Sequence, residues 1–532
     1  MHETLRSAQG DTPCHFSFML KPTIGLEIHI ELNTESKMFC ACPNESWQTE
    51  PNKNICPTCS GQPGSLPTIN QEAIKKNIKT ALALNCEVAD NSFFERKNYF
   101  YPDLPKGYQI SQYQEPLSKN GYLDIHIPAS GQDKNFQFSI SKFQTKRIRI
   151  ERIHLEEDTG RLQHPEGADY SLVDFNRAGV PLMELVTEPD LATAEEVKEF
   201  VKELKLILQY LNVSGANMEK GEMRCEVNIS LAEKNAEKFG AKVEIKNLNS
   251  IAVAGAAVEY EIKRQTEILA RGNKVVQETR GWHDKKAITF SQRDKESAHD
   301  YRYFPEPDLP PLKITPELLN EIKAALPELP SQKRARFVKE YRLNSQDIEL
   351  FVHQKGLGNY FEKVVSELIS WVAEKYETTL PPEEFQKLIK LASNYIATDL
   401  QALLKEKGIE DFDEEKFKIT AENFAEFLSM IYLGEISSKI AKMLLPEMLS
   451  KGGDPSQIII DKGWQMVSSK VEIEKVAQEV IANNPKAVED YGKGKVASLQ
   501  FLVGKVMAKT KGKAKPEVVS EILRRNLVTS TI

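Results

Sequence analysis

Four prolines within seven residues, Pro305, Pro307, Pro310 and Pro311, fix the plan of this chain. Proline locks φ and lacks an amide proton, so neither a helix nor a sheet interior survives such a cluster, and the segment reads as a stiff linker. The hydrophobic period changes across it. Before the linker, Ile24, Leu26, Ile28, Ile30 and Leu32 alternate with Gly25, Glu27, His29 and Glu31. Met223, Cys225, Val227, Ile229 and Leu231 alternate in the same way with Arg224, Glu226, Asn228 and Ser230, and residues 123–127 and 136–140 repeat the theme. Clean period-two patterns predict strands with one covered face in an antiparallel sheet. Between them, Thr193 and Glu196 make a capping box ahead of a helix over 197–211, and a second helix over 253–271 stops at Gly272. Without a regular βαβ rhythm this half is α+β. After the linker, Thr315, Pro316 and Glu317 start a helix, and nearly everything onward reads as helical, with breaks near 327–330, 381–382 and 452–455.

A chain of 532 residues holds several domains with cores of their own. No run approaches the ~20 consecutive apolar residues of a membrane span, so no membrane association is expected. The first 22 residues contain Glu3, Asp11 and a single Arg. They have neither the apolar block of a secretory signal nor the Arg-rich character of a transit peptide, so the expected compartment is cytoplasmic. A net charge of −7 argues against a nonspecific nucleic-acid coat protein. Yet residues 481–532 hold ten Lys or Arg against four Asp or Glu, a balance of +6, with seven of the ten between 505 and 525. Such an end suits phosphate-backbone contact, and equally a solvated helical face.

Four of the seven cysteines fall within twenty residues as C-x-C-x13-C-x2-C: Cys40, Cys42, Cys56 and Cys59. In a reducing compartment two close thiol pairs read as a metal site, with tetrahedral Zn²⁺ the first expectation and an iron–sulfur cluster or free thiols the alternatives. No ligand position is obviously vacant, so the role is structural.

The chemistry-bearing residues sit on the strands. Glu27, His29 and Glu31 share one face, about 7 Å apart at successive i, i+2 positions. The segment 147–158, RIRIERIHLEED, has Ile148 and Ile150 out of phase with Ile153 and Leu155. That slip predicts a bulge re-aiming Glu156, Glu157 and Asp158. Glu184, between Met183 and Leu185, is costly to bury unless paired or bound to a cation. Carboxylates and an imidazole with Lys97, Arg224 and Lys246 nearby are what Mg²⁺–nucleotide chemistry requires: oxygen ligands for the metal and cations for the phosphoryl group. No G-x-x-x-x-G-K-[ST], G-x-G-x-x-G or kinase signature is present, so any ATP site is of another kind. Residues 93–113 place seven aromatics beside Arg96, Lys97 and Lys106, a composition suited to base stacking or to lining a polar cavity.

Taken together, IGLEIHIEL, the CxC…CPTCSGQPG cluster, RKNYFYPDLPKGYQISQ, HLEEDTGR, VDFNRAGVPLMELVTEPD, GEMRCEVNIS, EIKNLNS and DYRYFPEPDLP closely resemble GatB, one of the subunits of the tRNA-dependent aspartyl/glutamyl-tRNA amidotransferases. The resemblance continues through ISSKIAKMLLPEML and FLVGKVMAKTKGKAKPEVVSEILRRNL. It implies a glutamine synthetase-like antiparallel cradle over 23–310 with a zinc module at 38–67, after an extension over 1–22. It further implies a helical domain over 311–415 and a helical tRNA-binding tail over 416–532. The implied activity is a carbon–nitrogen ligase with glutamine as amido donor in a bacterial heterotrimer, whose other members are an amidase and a small wrapping partner. Glu on tRNA(Gln), Asp on tRNA(Asn), or both, would be phosphorylated by ATP and Mg²⁺ and then amidated. By motif, Glu27, His29, Glu157 and Glu184 are the implied Mg²⁺-binding, catalytic set, with the choice between Glu156 and Glu157 left to the bulge. Lys97 resembles a substrate- or nucleotide-contacting lysine, and Arg224, Asn228 and Lys246 are assigned to the phosphate side.

Overall fold

The computed structural model describes residues 20–45, 47, 49–128, 143–165, 167–294, 301–376, 380–409, 412–465, 470–510 and 512–529. Contacts divide the chain into two compact units, Met1–Pro330 and Ser331–Ile532.

The first unit is built on a mixed nine-stranded sheet. In chain order its strands are β1 (Leu20–Glu31), β2 (Glu87–Val88), β3 (Ser118–Pro128), β4 (Phe143–Glu157), β5 (Pro181–Thr187), β6 (Met223–Glu233), β7 (Val243–Leu248), β8 (Glu278–His283) and β9 (Ile288–Asp294). The spatial order is β9-β8-β7-β6-β1-β5-β4-β3-β2, which puts β1 at the centre. Its alternation decides its faces: Ile24, Leu26, Ile28 and Ile30 are buried in the main core, while Glu27 and His29 point the other way. Helices α1 (Gln71–Ala83), α2 (Ala194–Tyr210) and α3 (Ile251–Ala270) contribute to the same core and cover the apolar face. The opposite face is left as a polar cradle.

Local signals in the sequence set the element ends. Thr193 caps α2 by accepting from Glu196 N, but the Glu196 carboxylate reaches back to Ala192 N rather than to the cap's own amide, and also holds Lys146 at 2.7 Å. Ser250 caps α3, which begins at Ile251 rather than Val253 and ends before Gly272, where φ is +74°. The bulge in β4 is real: Val186 of β5 pairs with Arg152 and Thr187 with Ile150, so Glu151 is the extra residue. The strand expected at 136–140 lies outside the described residues. One pairing departs from the antiparallel expectation. β7 and β8 run parallel because α3 connects them as a crossover, whereas the other pairs in this sheet are antiparallel.

The first unit continues past the proline cluster, twenty residues beyond the division expected at 310 and 311. Leu312 and Lys313 pair with Ser92 and Asn91, and α4 (Pro316–Ala324), capped by Thr315, packs on α1 with Lys75 3.2 Å from Glu321. The second unit is helical throughout its described residues apart from connecting turns. The division expected at 415 and 416 crosses one of its packed cores, where Tyr360 donates to Ile419 O and helix Lys355–Tyr376 lies against Ala421–Tyr432. Among the described residues no helix is long and apolar enough to cross a membrane.

Candidate active site in the sheet cradle

Strand register assembles the polar face. His29 on β1 lies opposite Arg224 on β6 and Glu184 on β5, and Glu184 lies opposite His154 on β4. Four polar side chains thus form a row across four strands. The β4 bulge then brings Glu156 into the same group: past Glu151, Arg152, His154 and Glu156 share the cradle face, while Ile153 and Leu155 return to the core. His29 Nε2 is 3.5 Å from Glu184 and 3.8 Å from Glu156, and His154 Nε2 is 3.3 Å and 3.9 Å from the same two carboxylates. Ser111 donates to Glu156 at 3.0 Å. Burial works against the Glu184 charge, but His154 and His29 override it and hold its carboxyl well below the usual range. Burial likewise opposes a charged His29, yet Glu184, Glu226 and Glu156 push the imidazole up to about 9.

A second group lies beside the first. Glu27 and Glu226 face each other directly across β1 and β6, and Glu244 on β7 completes a set whose carboxylate oxygens approach within 4.8 Å. Like charges directly opposite on neighbouring strands repel, and the sequence supplies partial relief: Asn228 donates to Glu27 at 2.7 Å, Lys246 to Glu226 at 2.8 Å and Thr279 to Glu244 at 2.7 Å. Both groups line one cavity of about 930 Å³, near the upper end of the ~300–1,000 Å³ typical of ligand sites.

The expected residues therefore separate. His29 and Glu184 come together with Glu156. Glu157 does not join them, which corrects the expected set: alternation after the bulge turns it to the far side of β4, where it accepts from Ile110 N at 2.9 Å and holds Lys106. Glu27 belongs to the second group, two residues along β1 from the first. Arg224 reaches the cradle but donates to Asp158 at 2.6 Å, and with Arg177 it overrides the burial that opposes that carboxylate's charge. Lys246 and Asn228 hold carboxylates of the second group rather than standing apart from it. Lys97 lines the cavity with its ammonium 5.2 Å from the Tyr301 ring centre. Burial opposes its charge, and the carboxylates of Glu156 and Glu184 keep it protonated.

Sequence reasoning passed over Arg152, His154, Glu226, Glu244 and Thr279. The first four sit at period-two positions beside residues already singled out, so alternation alone carried the signal; Thr279 had none. Stacking of Tyr113 on Tyr303, with ring centres 4.6 Å apart, gives the aromatic segments a place in the cavity wall.

In the module at 38–67 the sulfurs of Cys40, Cys42, Cys56 and Cys59 all lie within 4.8 Å of one another. Zinc–sulfur bonds of about 2.3 Å place tetrahedral sulfurs about 3.8 Å apart, so the donors fit that ion. A hydrogen bond from Cys40 leads in lowering Cys59 to about 4, against its burial, and Cys40 is raised in turn.

Two family models match this chain: the GatB/GatE catalytic domain over residues 22–320 and the GatB domain over 382–527. The aspartyl/glutamyl-tRNA(Asn/Gln) amidotransferase B subunit from Persephonella marina is 46% identical over 507 residues, which cover 95% of this chain and 99% of the relative. The protein of that name from Caldicellulosiruptor bescii is 45% identical and that from Dehalococcoides mccartyi 42%, each covering 95% of this chain and 98% of the relative.

Proposed function

The chain belongs to the GatB family of amidotransferase subunits, and from that premise we propose that its cradle activates the side-chain carboxylate of Glu on tRNA(Gln), or Asp on tRNA(Asn), with ATP and amidates it. The observation that carries this reading is the pair of three-ligand groups at adjacent outward positions of β1, inside one cavity. A carboxylate is a poor acyl donor. Its oxygen takes the γ-phosphoryl group as the bond to ADP breaks, and ammonia then forms the C–N bond as the C–O bond to phosphate breaks, one ammonia proton leaving with the phosphate. His29, Glu156 and Glu184 would hold one Mg²⁺, and Glu27, Glu226 and Glu244 a second. What Mg²⁺ supplies when bound is neutralisation of phosphate charge. His154 orients Glu184, Asn228 and Thr279 orient Glu27 and Glu244, and Lys97 and Arg152 offer positive charge beside the transferring group. The depth of the cradle keeps water from the acyl phosphate.

The same reading gives the remaining regions their work. Ammonia comes from glutamine on an amidase partner, in a complex completed by a small wrapping partner. The cradle is of the glutamine synthetase kind. The tail carries the +6 segment to the tRNA, so affinity should fall steeply with salt. Zinc sits on the four cysteines as a structural ion, predicting about one Zn per chain by elemental analysis and its loss in Cys56→Ser; iron or an empty site would overturn that assignment.

The experiment is ADP release from Mg·ATP by the chain assembled with its partner subunits, comparing Glu-tRNA(Gln) with uncharged tRNA and with ammonia supplied directly. Release that needs the aminoacyl group and disappears in Glu184→Ala supports the reading. Release indifferent to charging, or to that substitution, leaves the chain as a tRNA-binding scaffold.

A further inference from the structure

Lys37 is fully buried, which is rare for a lysine, and its surroundings are unusual. Its ammonium donates to Asn54 O at 2.7 Å, Ala178 O at 2.8 Å and Phe175 O at 3.3 Å, and lies 3.7 Å from Cys59 Sγ. Carbonyls solvate an ammonium but do not neutralise it. Of these four partners only the sulfur can bear a formal charge.

We propose that Lys37 is a positioning residue for the four-cysteine centre: it supplies the counter-charge to the thiolates and ties that centre to the turn that brings Arg177 into the cradle. The proposal rests on the assignment of zinc to Cys40, Cys42, Cys56 and Cys59. Four thiolates around a divalent ion carry a net charge of −2, which is costly to bury. One buried ammonium in contact with the set halves that charge, and its N–H directed at Cys59 lowers the basicity of the sulfur that must stay on the metal.

The same ammonium reaches the cradle. Phe175 and Ala178, two of its carbonyl partners, flank Asn176 and Arg177. Arg177 donates to Thr159 O and Gly160 O and stands 3.5 Å from Asp158 in the cavity wall. The segment 50–54, which lies between the two cysteine pairs, is stitched to this turn. Asn54 N donates to Asn176 Oδ1, Asn176 Nδ2 to Glu50 O, Asn52 N to Asp174, and Phe175 N to Asn52 Oδ1. Gly179 closes the turn at φ +86°, where an added Cβ would lie 3.3 Å from Cys59 Cβ and 3.5 Å from Lys37 Cδ. The turn therefore packs on the centre without slack, and loss of the ion or of the Lys37 charge should be felt at Arg177.

The test uses the full chain with its partner subunits, loaded with zinc. Transfer of zinc to a chromogenic chelator is timed for the wild type, for Lys37→Met, which keeps length and removes charge, and for Lys37→Arg, which keeps charge. The expected result is transfer at least tenfold faster in Lys37→Met and largely rescued in Lys37→Arg, at matched melting temperatures. In the wild type, amide hydrogen exchange is followed before and after chelation. Residues 174–179 should accelerate together with 37–59, while 24–31 stay protected. Zinc transfer from Lys37→Met within twofold of the wild type would overturn the proposal, as would exchange confined to 37–59. Should Lys37→Met fail to fold, the wild-type exchange comparison decides alone. Wild-type protein carrying no zinc would sink both the metal assignment and this inference; zinc bound but indifferent to Lys37 would sink the inference only.

Discussion

The two ligand groups on β1 are built from similar residues and balanced in different ways. In the first, the carboxylates of Glu156 and Glu184 are each within 4 Å of both His29 and His154, and Arg152 lies 3.9 Å from Glu184. In the second, Lys246 stands 2.8 Å from Glu226 and 4.0 Å from Glu244, and two of the three carboxylates face each other across a strand pair. The first group can hold its shape on its own side chains. The second gathers three carboxylates, a set suited to closing around an added cation. The lesson is that adjacent sites on one strand can be balanced in different ways, one held by its own side chains and one suited to closing around an added cation.

The largest effect should come from breaking the preorganised group. Glu184→Gln removes the charge that faces both imidazoles, and Glu156→Gln the one held by Ser111. Each is expected to lower aminoacyl-dependent ADP release by ~100-fold or more at a permissive temperature, with saturating Mg²⁺ giving no recovery. Retained turnover in either would remove this group from the chemistry. A smaller effect should follow in the second group. Glu226→Gln relieves the repulsion with Glu27 while removing a donor, so the Mg²⁺ concentration for half-maximal rate should rise by ~10–100-fold, with much of the rate recovered at saturation. A defect that added Mg²⁺ leaves untouched would make the two groups alike and break the comparison.

How much of this was legible in the sequence depends on whether alternation or register carried the information. Alternation placed Glu27 and His29 on the open face, the apolar neighbours of Glu184 marked it as a carboxylate in need of a partner, and the phase slip among Ile148, Ile150, Ile153 and Leu155 announced the bulge. The choice between Glu156 and Glu157 was left open, although the phase of Ile153 and Leu155 past the slip already turns Glu156 to the cradle and Glu157 away; what only the pairing of Val186 and Thr187 shows is that Glu151 is the extra residue. Glu226 and Glu244 stood at alternating positions beside Arg224 and Lys246, but their closeness to each other belongs to the pairing of β6 and β7, which shift register between Cys225 and Val227, and not to either strand. Lys37 was invisible. Nothing in S-K-M marks burial, and two of its partners are main-chain carbonyls 138 and 141 residues away.

The smallest effect, and the sharpest control, is expected one residue from the first group. Glu157 lies on the far side of β4, where its carboxylate holds Lys106 and the amide of Ile110, and its carbonyl accepts from Gln109 at 2.6 Å. These bonds clamp the short strand Tyr108–Ser111, which presents Ser111 to Glu156. Glu157→Gln keeps an acceptor for Ile110 but leaves the largely buried Lys106 ammonium without its counter-charge, a change worth about 1–3 kcal/mol. Calorimetry should therefore show melting lowered by a few degrees, while ADP release at a permissive temperature stays within about threefold of the wild type. A turnover loss in Glu157→Gln as deep as that in Glu156→Gln would mean that both sides of β4 serve the chemistry. The division between the groups would then rest on something other than which face of the strand a carboxylate occupies.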